Sequence, residues 1–291
     1  MASDPQHQAA AFSGLIDLAA ERVGGKALAA SDEFFAPKEN LLKPGRGVFI
    51  PDKYTDRGKW MDGWESRRKR TPGNDWCVIQ LGLPGTIKGI DIDTNHFLGN
   101  NPAYASVEAC VMAGGIAGDA LNDNTIEWVE ILPRSPIMPG SQNLFSIISD
   151  QRWTHIRLQI FPDGGVARLR VYGEVRPDWN RFKRDKLIDL AAVGNGALVV
   201  AASDMFFGSK ENLIVPGRAA NMGDGWETKR RRGPGHDWAI VQLGRRGRIQ
   251  RVEVDTNHFR GNYPDRCSLD ACDAPGRVLD TLTAADAAWK V

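Results

Sequence analysis

The sequence predicts an all-β protein made of two tandem β-sandwich modules that arose by internal duplication. Two observations carry this prediction. Segments of the first half recur in the second half in the same order. Short runs that alternate apolar and polar residues, separated by Gly, Pro and Asn, are typical of antiparallel strands rather than of βαβ units. The predicted modules span residues 12–175 and 181–291, and the linker between them contains Pro177.

The repeat is clearest in two motifs. Asp93–Phe97 returns as Asp255–Phe259, followed in both copies by Gly-Asn, and Asp62–Glu65 returns as Asp224–Glu227. Further matches pair Leu15–Leu18 with Leu187–Leu190, Lys38–Leu41 with Lys210–Leu213, and Pro44–Arg46 with Pro216–Arg218. So many matches in one order indicate duplication of a whole folding unit.

The two copies differ at two places. The first carries an insertion within Gly47–Met61, whose Pro, Gly and charged residues predict a surface loop. The second stops before the counterparts of the predicted strands 154–161 and 166–175. We therefore expect the second module to be incomplete at its C-terminus, with apolar faces that subunit contacts in a homo-oligomer would cover.

Period-two alternation places the strands of the first module. The predicted strands are Trp76–Leu81, Ile87–Asp93, Ser106–Val111, Ile126–Leu132, Thr154–Phe161 and Val166–Val175. Gly82 follows the first of these strands and is expected to end it. Asp91 and Asp93 share one face of their strand, and Arg168 and Arg170 alternate with apolar residues in theirs. The helices predicted are short, over Leu15–Ala20 and Lys186–Ala192.

Composition excludes several classes of function. There are 37 Lys and Arg against 36 Asp and Glu, so no long-range field favours nucleic acid or an anionic membrane. No apolar stretch is long enough to span a bilayer. The polar start and four cysteines without CxxC spacing predict a cytoplasmic protein with reduced thiols.

The first candidate site is the Arg-rich segment that follows each Asp-Gly-Trp turn. Glu65 precedes Arg67 and Arg68, and in the second copy Glu227 precedes Lys229 and Arg230. Guanidinium groups offer two-point hydrogen bonds to a carboxylate, so the segment suits a small acid. A solvated charged loop explains the same residues, and both interpretations stay open.

The second candidate is the Asp-Thr-Asn-His-Phe motif, at which a strand runs into a loop. Asp93 and Asn95 share one face of an extended segment, and His96 lies on the other. Histidine transfers protons near neutral pH, and a carboxylate can orient it. A polar strand end tied by hydrogen bonds is the alternative. A divalent metal is a third, although no HxH or HExxH spacing supports it.

A third candidate is the turn Phe161–Gly165, which holds Asp163 between two predicted strands. A plain hairpin turn accounts for the same Pro-Asp-Gly-Gly sequence.

Taken together, ASDEFFAPKENL, PGR, DGWESRRKR, DTNHFLGN and FPDGGVARLRVYG resemble the allantoicase family over nearly the whole chain from Phe12. The resemblance implies two jelly-roll modules similar to galactose-binding domains. It also implies a small-molecule substrate, allantoate, which water converts to ureidoglycolate and urea during purine degradation.

Roles follow from the chemistry of that substrate. Arg67 or Arg68 is expected to hold the substrate carboxylate, and His96 with Asp93 to transfer protons. Glu65 is expected to bind the substrate or to remove a proton. Asn95 and Asp163 are expected to bind the substrate. Counterparts expected to form a second or composite site are Glu227, Lys229, Arg230, Asp255, Asn257 and His258.

The alternative function is a non-enzymatic tandem module that binds a ligand or carbohydrate, since sandwiches host many functions. Such modules typically display exposed aromatic rings on loops. The repeated loops here carry Asp, Glu, Asn, His and Arg instead, which favours a small polar acid and an enzyme.

Overall fold

The computed structural model describes residues 12, 14–112, 126–183, 186–274, 283, 285 and 289. The chain divides into two compact units, residues 1–178 and 179–291. Strands of the first unit are β1 Ile16–Asp17, β2 Lys26–Ala30, β3 Tyr54–Thr55, β4 Gly58–Lys59, β5 Trp64–Glu65, β6 Asp75–Asp93, β7 Tyr104–Cys110, β8 Val129–Pro136, β9 Gln142–Ser146, β10 Trp153–Phe161, β11 Gly165–Val166 and β12 Arg168–Val175. The named strands pair in antiparallel fashion, which confirms the all-β prediction.

Strand β6 organises the first unit. It is 19 residues long and continues through Gly82, Pro84 and Gly85. Its first half pairs with β2 and β10, and its second half pairs with β9 and β12. The expectation of two separate strands broken at Gly82 was therefore wrong. At Gly82 the backbone of Gly25 lies 2.4 Å from the position of a Cβ, so glycine permits close approach without ending the strand.

The core of the first unit lies on the apolar faces of these strands. Alternation along the second half of β6 buries Ile90 and Ile92, and alternation along β12 buries Leu169 and Val171. Asp91 and Asp93 on β6, and Arg168 and Arg170 on β12, occupy the opposite face. The alternation that builds the core thus also places charged groups opposite one another across β6 and β12.

The two predicted helices were wrong. Ile16 and Asp17 form β1, which pairs with β12, and the helical turn that follows is a 3₁₀ turn at Glu21–Val23. The Asp17 carboxylate accepts the backbone N–H groups of Ala19 and Val171, which offers the chain an alternative to helix. Residues 186–192 are also non-helical.

The second unit, by itself, contains β13 Leu198–Ala202 paired with β14 Ala239–Gln242. Among the residues that the structure describes, the remaining 3₁₀ turns are Lys38–Leu42, Trp179–Arg181, Val193–Asn195, Lys210–Ile214 and Met222–Asp224. Within the described ranges, no helix has the length and apolarity needed to cross a membrane.

A buried ion pair ties β12 to the segment before β5. Arg168 donates from Nη2 to Asp62 Oδ2 at 2.7 Å and from Nη1 to the Asp62 carbonyl at 3.0 Å. Burial alone would raise the pKa of Asp62, but the hydrogen bonds from Arg168 and Val48 hold it below its ordinary value. The pair therefore fixes Arg168 in one orientation, with both side chains less than a tenth exposed.

Replacing Asp62 by Asn leaves a buried guanidinium without its counter-charge. We expect the free energy of unfolding at pH 7 to fall by about 3–5 kcal/mol. Because the folded pKa of Asp62 is lowered, this difference shrinks as the pH falls below the unfolded value. Guanidinium chloride unfolding followed by tryptophan fluorescence measures it. Asp150→Asn, at a fully exposed carboxylate, is the control, and equal stability of the two variants would contradict the assignment.

Candidate active site

A cleft of about 180 Å³ opens on the polar face of β6, β9 and β12. The residues that line it are Gly45, Arg46, Asp91, Asp93, Gln142, Arg168, Arg170 and Tyr172. Cross-strand register explains the grouping, because Arg168 lies opposite Asp93 and Arg170 opposite Asp91. Three guanidinium groups around two carboxylates suit a small organic acid rather than a large ligand.

Asp93, at the end of β6, is held by Arg46. The Arg46 guanidinium donates from Nε to Oδ2 and from Nη2 to Oδ1, both at 2.8 Å. The backbone N–H of Asn95 also donates to Oδ1. Asp93 is buried, whereas the Arg46 side chain is 48% exposed. Arg46 therefore stands at the mouth of the cleft and can exchange partners more readily than Asp93 can.

Asp91 is a buried carboxyl group in the wall of the cleft. Burial raises its pKa to about 6, and the negative charge of Asp93 adds to the effect. Gln142 donates to Oδ2 at 2.7 Å, while Oδ1 is buried and has no hydrogen-bond partner among the described residues. A carboxyl group with this pKa can both give and take a proton near neutral pH.

Arg170 connects the cleft to the loop that carries Arg46. It donates to the carbonyl groups of Lys43 and Gly45 at 2.5 and 2.6 Å, and its Nη1 lies 3.6 Å from Asp17 Oδ2. Burial raises the pKa of Asp17 despite this guanidinium. The contacts fix the Pro44–Arg46 turn over the strands, so Arg170 shapes the cleft as well as lining it.

Tyr172 follows Arg170 on the same face of β12. Burial raises the pKa of its hydroxyl to about 12, and the nearby Asp91 and Asp17 carboxylates act in the same direction. Its hydroxyl therefore remains protonated at neutral pH and can donate a hydrogen bond.

The Asp-Thr-Asn-His-Phe motif is only partly in the cleft. Asp93 lines it, and Asn95 donates to the Gly47 carbonyl beside it at 2.9 Å. His96 has a positive φ of 68° and is exposed, and its ring stacks on Phe49 with centroids 5.5 Å apart. Asp93 is thus engaged by Arg46 and Asn95, and the described hydrogen bonds do not join it to His96.

The Arg-rich motif lies outside the cleft lining. Arg67 donates from Nε to Asp32 at 2.8 Å and lies over the Phe34 ring, while Arg68 is exposed. Glu65 accepts from Asn100 at 2.6 Å, and burial raises its pKa. These contacts tie together loops at one end of the unit.

Asp163 belongs to the same group of loops. Its Oδ2 accepts the backbone N–H of Lys69 at 2.8 Å, and the peptide bond before Pro162 is cis. Asp163 therefore anchors the Arg-rich segment and does not line the cleft.

The second unit repeats these contacts in a more open setting. Arg218 donates to Asp255 at 3.1 Å, as Arg46 does to Asp93, but the Asp255 side chain is 34% exposed. His258 is exposed, with Nε2 2.9 Å from the Ala219 carbonyl oxygen.

The other predicted residues of the second unit also engage local partners. Asn257 donates to the Ala219 carbonyl at 3.3 Å, and Glu227 accepts from Asn262 at 2.5 Å. Lys229 pairs with Asp204 at 3.4 Å, and Arg230 is exposed.

Metal binding has little support in the donor groups. Across the part of the chain that the structure describes, no three His, Cys, Asp or Glu side chains come together in an arrangement that could hold an ion. In the cleft, Asp91 and Asp93 stand beside Arg46, Arg168 and Arg170. Guanidinium groups at that position repel a divalent cation, so this set does not fit a metal centre.

Six side chains of the cleft were missed in the sequence analysis: Arg46, Asp91, Gln142, Arg168, Arg170 and Tyr172. One signal was visible, because Arg168, Arg170 and Tyr172 recur at every second position of a strand, as Asp91 and Asp93 do. A strand face with charges on alternate residues is polar, but the sequence does not show which strand lies beside it.

Asp91 should reduce stability at neutral pH. Its pKa is raised from 3.8 to about 6, so folding favours the protonated form and stability falls as the pH rises between these values. Asp91→Asn removes this cost. We expect the variant to be more stable than the parent by up to about 3 kcal/mol at pH 8. The gain should vanish near pH 4. Thermal unfolding across that range tests it, and an equal gain at both pH values would refute the assignment.

Comparison with known proteins agrees with this architecture. The family model of the allantoicase repeat matches residues 16–176 and 188–291. A probable allantoicase of Burkholderia mallei is 52% identical over 276 residues, which cover 95% of this chain and 80% of that protein. A probable allantoicase of Ralstonia nicotianae is 48% identical, with coverage of 94% and 80%.

Solved structures point the same way. The crystal structure of allantoicase from Saccharomyces cerevisiae has 42% identity and a TM-score of 0.68, and covers 79% of this chain and 68% of that one. A second allantoicase structure has 40% identity and a TM-score of 0.69, with coverage of 80% and 69%. The resemblance seen in the sequence is thereby confirmed, and an enzyme is favoured over a non-enzymatic binding module. The chain belongs to the allantoicase family, hydrolases that convert allantoate and water to ureidoglycolate and urea.

Proposed function

We propose that the hydrolysis of allantoate takes place in the cleft on β6, β9 and β12, with Asp91 as the acid–base group. The observation that carries this proposal is a buried carboxyl group with a pKa of about 6, placed among three guanidinium groups. Perturbed ionisable groups in clefts mark functional sites more often than ordinary surface charges do.

The guanidinium groups account for binding of the substrate carboxylate. Arg46 is half exposed at the mouth, so it can offer two parallel N–H donors to a carboxylate. Arg170 is engaged by the Lys43 and Gly45 carbonyls and adds positive charge on the cleft wall. When the substrate carboxylate binds the Arg46 guanidinium, Asp93 loses part of its ion pair. Its carboxylate then becomes available to accept a hydrogen bond from a ureido N–H. The cleft is therefore complementary to an acid that also carries hydrogen-bond donors.

The reaction balances with one carboxyl group. Protonated Asp91 gives its proton to the ureido nitrogen that departs, while the lone pair of the other ureido nitrogen helps to expel it. The bond between the protonated ureido nitrogen and the central carbon breaks, which releases urea and leaves an acylimine cation. Water then adds to the central carbon, and Asp91 takes the proton that water loses. Asp91 ends protonated, and the product is ureidoglycolate.

This assignment moves proton transfer from His96 to Asp91. His96 is exposed and stacked on Phe49, whereas Asp91 lies in the cleft wall. Asp93 keeps a part in the site as the partner of Arg46. Arg67, Arg68, Glu65 and Asp163 are proposed to support the loops at the end of the unit rather than to contact substrate.

Two finer points of architecture belong to the same proposal. We propose that both repeats are jelly-roll sandwiches derived by duplication, which the two matches to the repeat family support. Cytoplasmic location is proposed because the four cysteines are free thiols, as in proteins of reducing compartments. A homo-oligomer stays an expectation from the sequence.

Asp91→Asn is expected to lower turnover of allantoate by about 10²–10⁴-fold, because the amide cannot transfer the proton. His96→Ala should retain turnover within about threefold, since its ring lies outside the cleft lining. Release of urea is the measurement, and Asp150→Asn controls for loss of a carboxylate. A large loss in His96→Ala with normal turnover in Asp91→Asn would return proton transfer to His96.

The pH dependence of kcat/KM supplies an independent check. The first step needs protonated Asp91, so kcat/KM should be level below about pH 6 and fall tenfold per pH unit above it. The residual activity of Asp91→Asn should lack this descending limb. An unchanged limb in the variant would assign the titration to another group.

A further inference from the structure

Two buried hydrogen-bonding atoms of the cleft residues have no partner among the described residues. They are Nε of Arg168 and Oδ1 of Asp91. Leaving such an atom unpaired destabilises the folded protein, and more so when the group is charged. Two such atoms on side chains that line one cleft indicate a site built for a ligand that supplies both missing hydrogen bonds.

The rest of Arg168 is already fixed. Its Nη1 and Nη2 are held by Asp62 and by the Ala167 carbonyl, so the guanidinium cannot turn to bind a carboxylate with its terminal nitrogens. What remains is a single N–H donor in a set orientation. This separates Arg168 from the half-exposed Arg46, which suits the charged end of a substrate.

Asp91 supplies the complementary atom. Gln142 occupies its Oδ2, which leaves Oδ1 to accept a hydrogen bond when the group is ionised and to carry the proton when it is neutral. Arg168 lies opposite Asp93 and is therefore a diagonal neighbour of Asp91 across the two strands. Diagonal neighbours are about 7–8 Å apart, within reach of long side chains, so one small group can bridge their ends.

We propose that Arg168 Nε and Asp91 Oδ1 form the subsite for the departing ureido group, with Nε–H donating to its carbonyl oxygen and Oδ1 facing its nitrogen. This inference rests on the proposed function of the cleft. A ureido group matches the pair because it carries an acceptor and a donor side by side, whereas a carboxylate would bring a second negative charge to Asp91.

The arrangement also assigns a catalytic role to Arg168. As the bond to the central carbon breaks, electron density moves onto the departing urea, and its oxygen becomes a stronger acceptor. A fixed N–H donor stabilises this charge more in the transition state than in the bound substrate. Arg168 should therefore influence kcat as well as KM.

Both atoms are shielded from solvent, so the substrate must displace a side chain to reach them. Arg46 is half exposed and lies close enough to Asp91 to lower its pKa. A substrate carboxylate that draws Arg46 away from Asp93 would open this route, which couples binding of the acid to entry of the ureido group.

Two inhibitors separate the subsites. N-Carbamoylglycine carries a carboxylate and one ureido group, and acetate carries the carboxylate alone. In the unmodified chain we expect N-carbamoylglycine to inhibit allantoate turnover at least tenfold more strongly than acetate, because two further hydrogen bonds form. Arg168→Lys keeps the cation beside Asp62 but removes Nε–H. The ratio of the two inhibition constants, acetate over N-carbamoylglycine, should fall roughly tenfold in this variant, and kcat should fall as well.

Matched variants identify the cause of any change. Arg170→Gln should weaken both inhibitors together and keep their ratio. Asp91→Asn should also lower the ratio, because its amide oxygen accepts from Gln142 and its NH2 group replaces the Oδ1 acceptor. Its turnover should fall as well. Thermal unfolding by circular dichroism verifies that Arg168→Lys is folded. A folded Arg168→Lys with an unchanged ratio would overturn the ureido subsite and leave the proposed function intact. Normal turnover of Asp91→Asn would overturn the proposed function instead.

Discussion

Antiparallel pairing of β6 with β12 is the constraint on which the site depends. The register sets Arg168 opposite Asp93 and Arg170 opposite Asp91, all on one face of the two strands. A shift of one residue would turn the charges into the core and Ile90 and Ile92 outward, at the cost of the apolar burial that stabilises the unit. Core packing therefore fixes the geometry of the cleft.

The polar face carries a stability cost that the fold tolerates. Arg168 is paired at both terminal nitrogens but not at Nε, and Asp91 is paired at one oxygen only. A buried polar atom without a hydrogen-bond partner is unfavourable in a purely structural network. In an enzyme it is expected, because the substrate completes the hydrogen bonds and gains specificity by doing so.

Several repeated motifs form the same loop contacts in each unit. The pair Arg67 and Asp32 in the first unit corresponds to Lys229 and Asp204 in the second, and Glu65 with Asn100 corresponds to Glu227 with Asn262. These contacts close the same loops in each unit. These recurring motifs are thus engaged in local loop contacts, whereas the Asp93 side chain is buried and the Asp255 side chain is 34% exposed.

The sequence by itself determined the all-β class, the family and the position of Asp93 at the end of a strand. Those properties are local, since alternation, turn residues and motif order are all read along the chain. Only the tertiary structure decided that Arg46, Gln142 and Arg170 join Asp91 in one cleft, and that His96 and Arg67 lie outside it. Strand register and loop closure bring together residues far apart in the chain, and the burial that raises the pKa of Asp91 arises only from that packing.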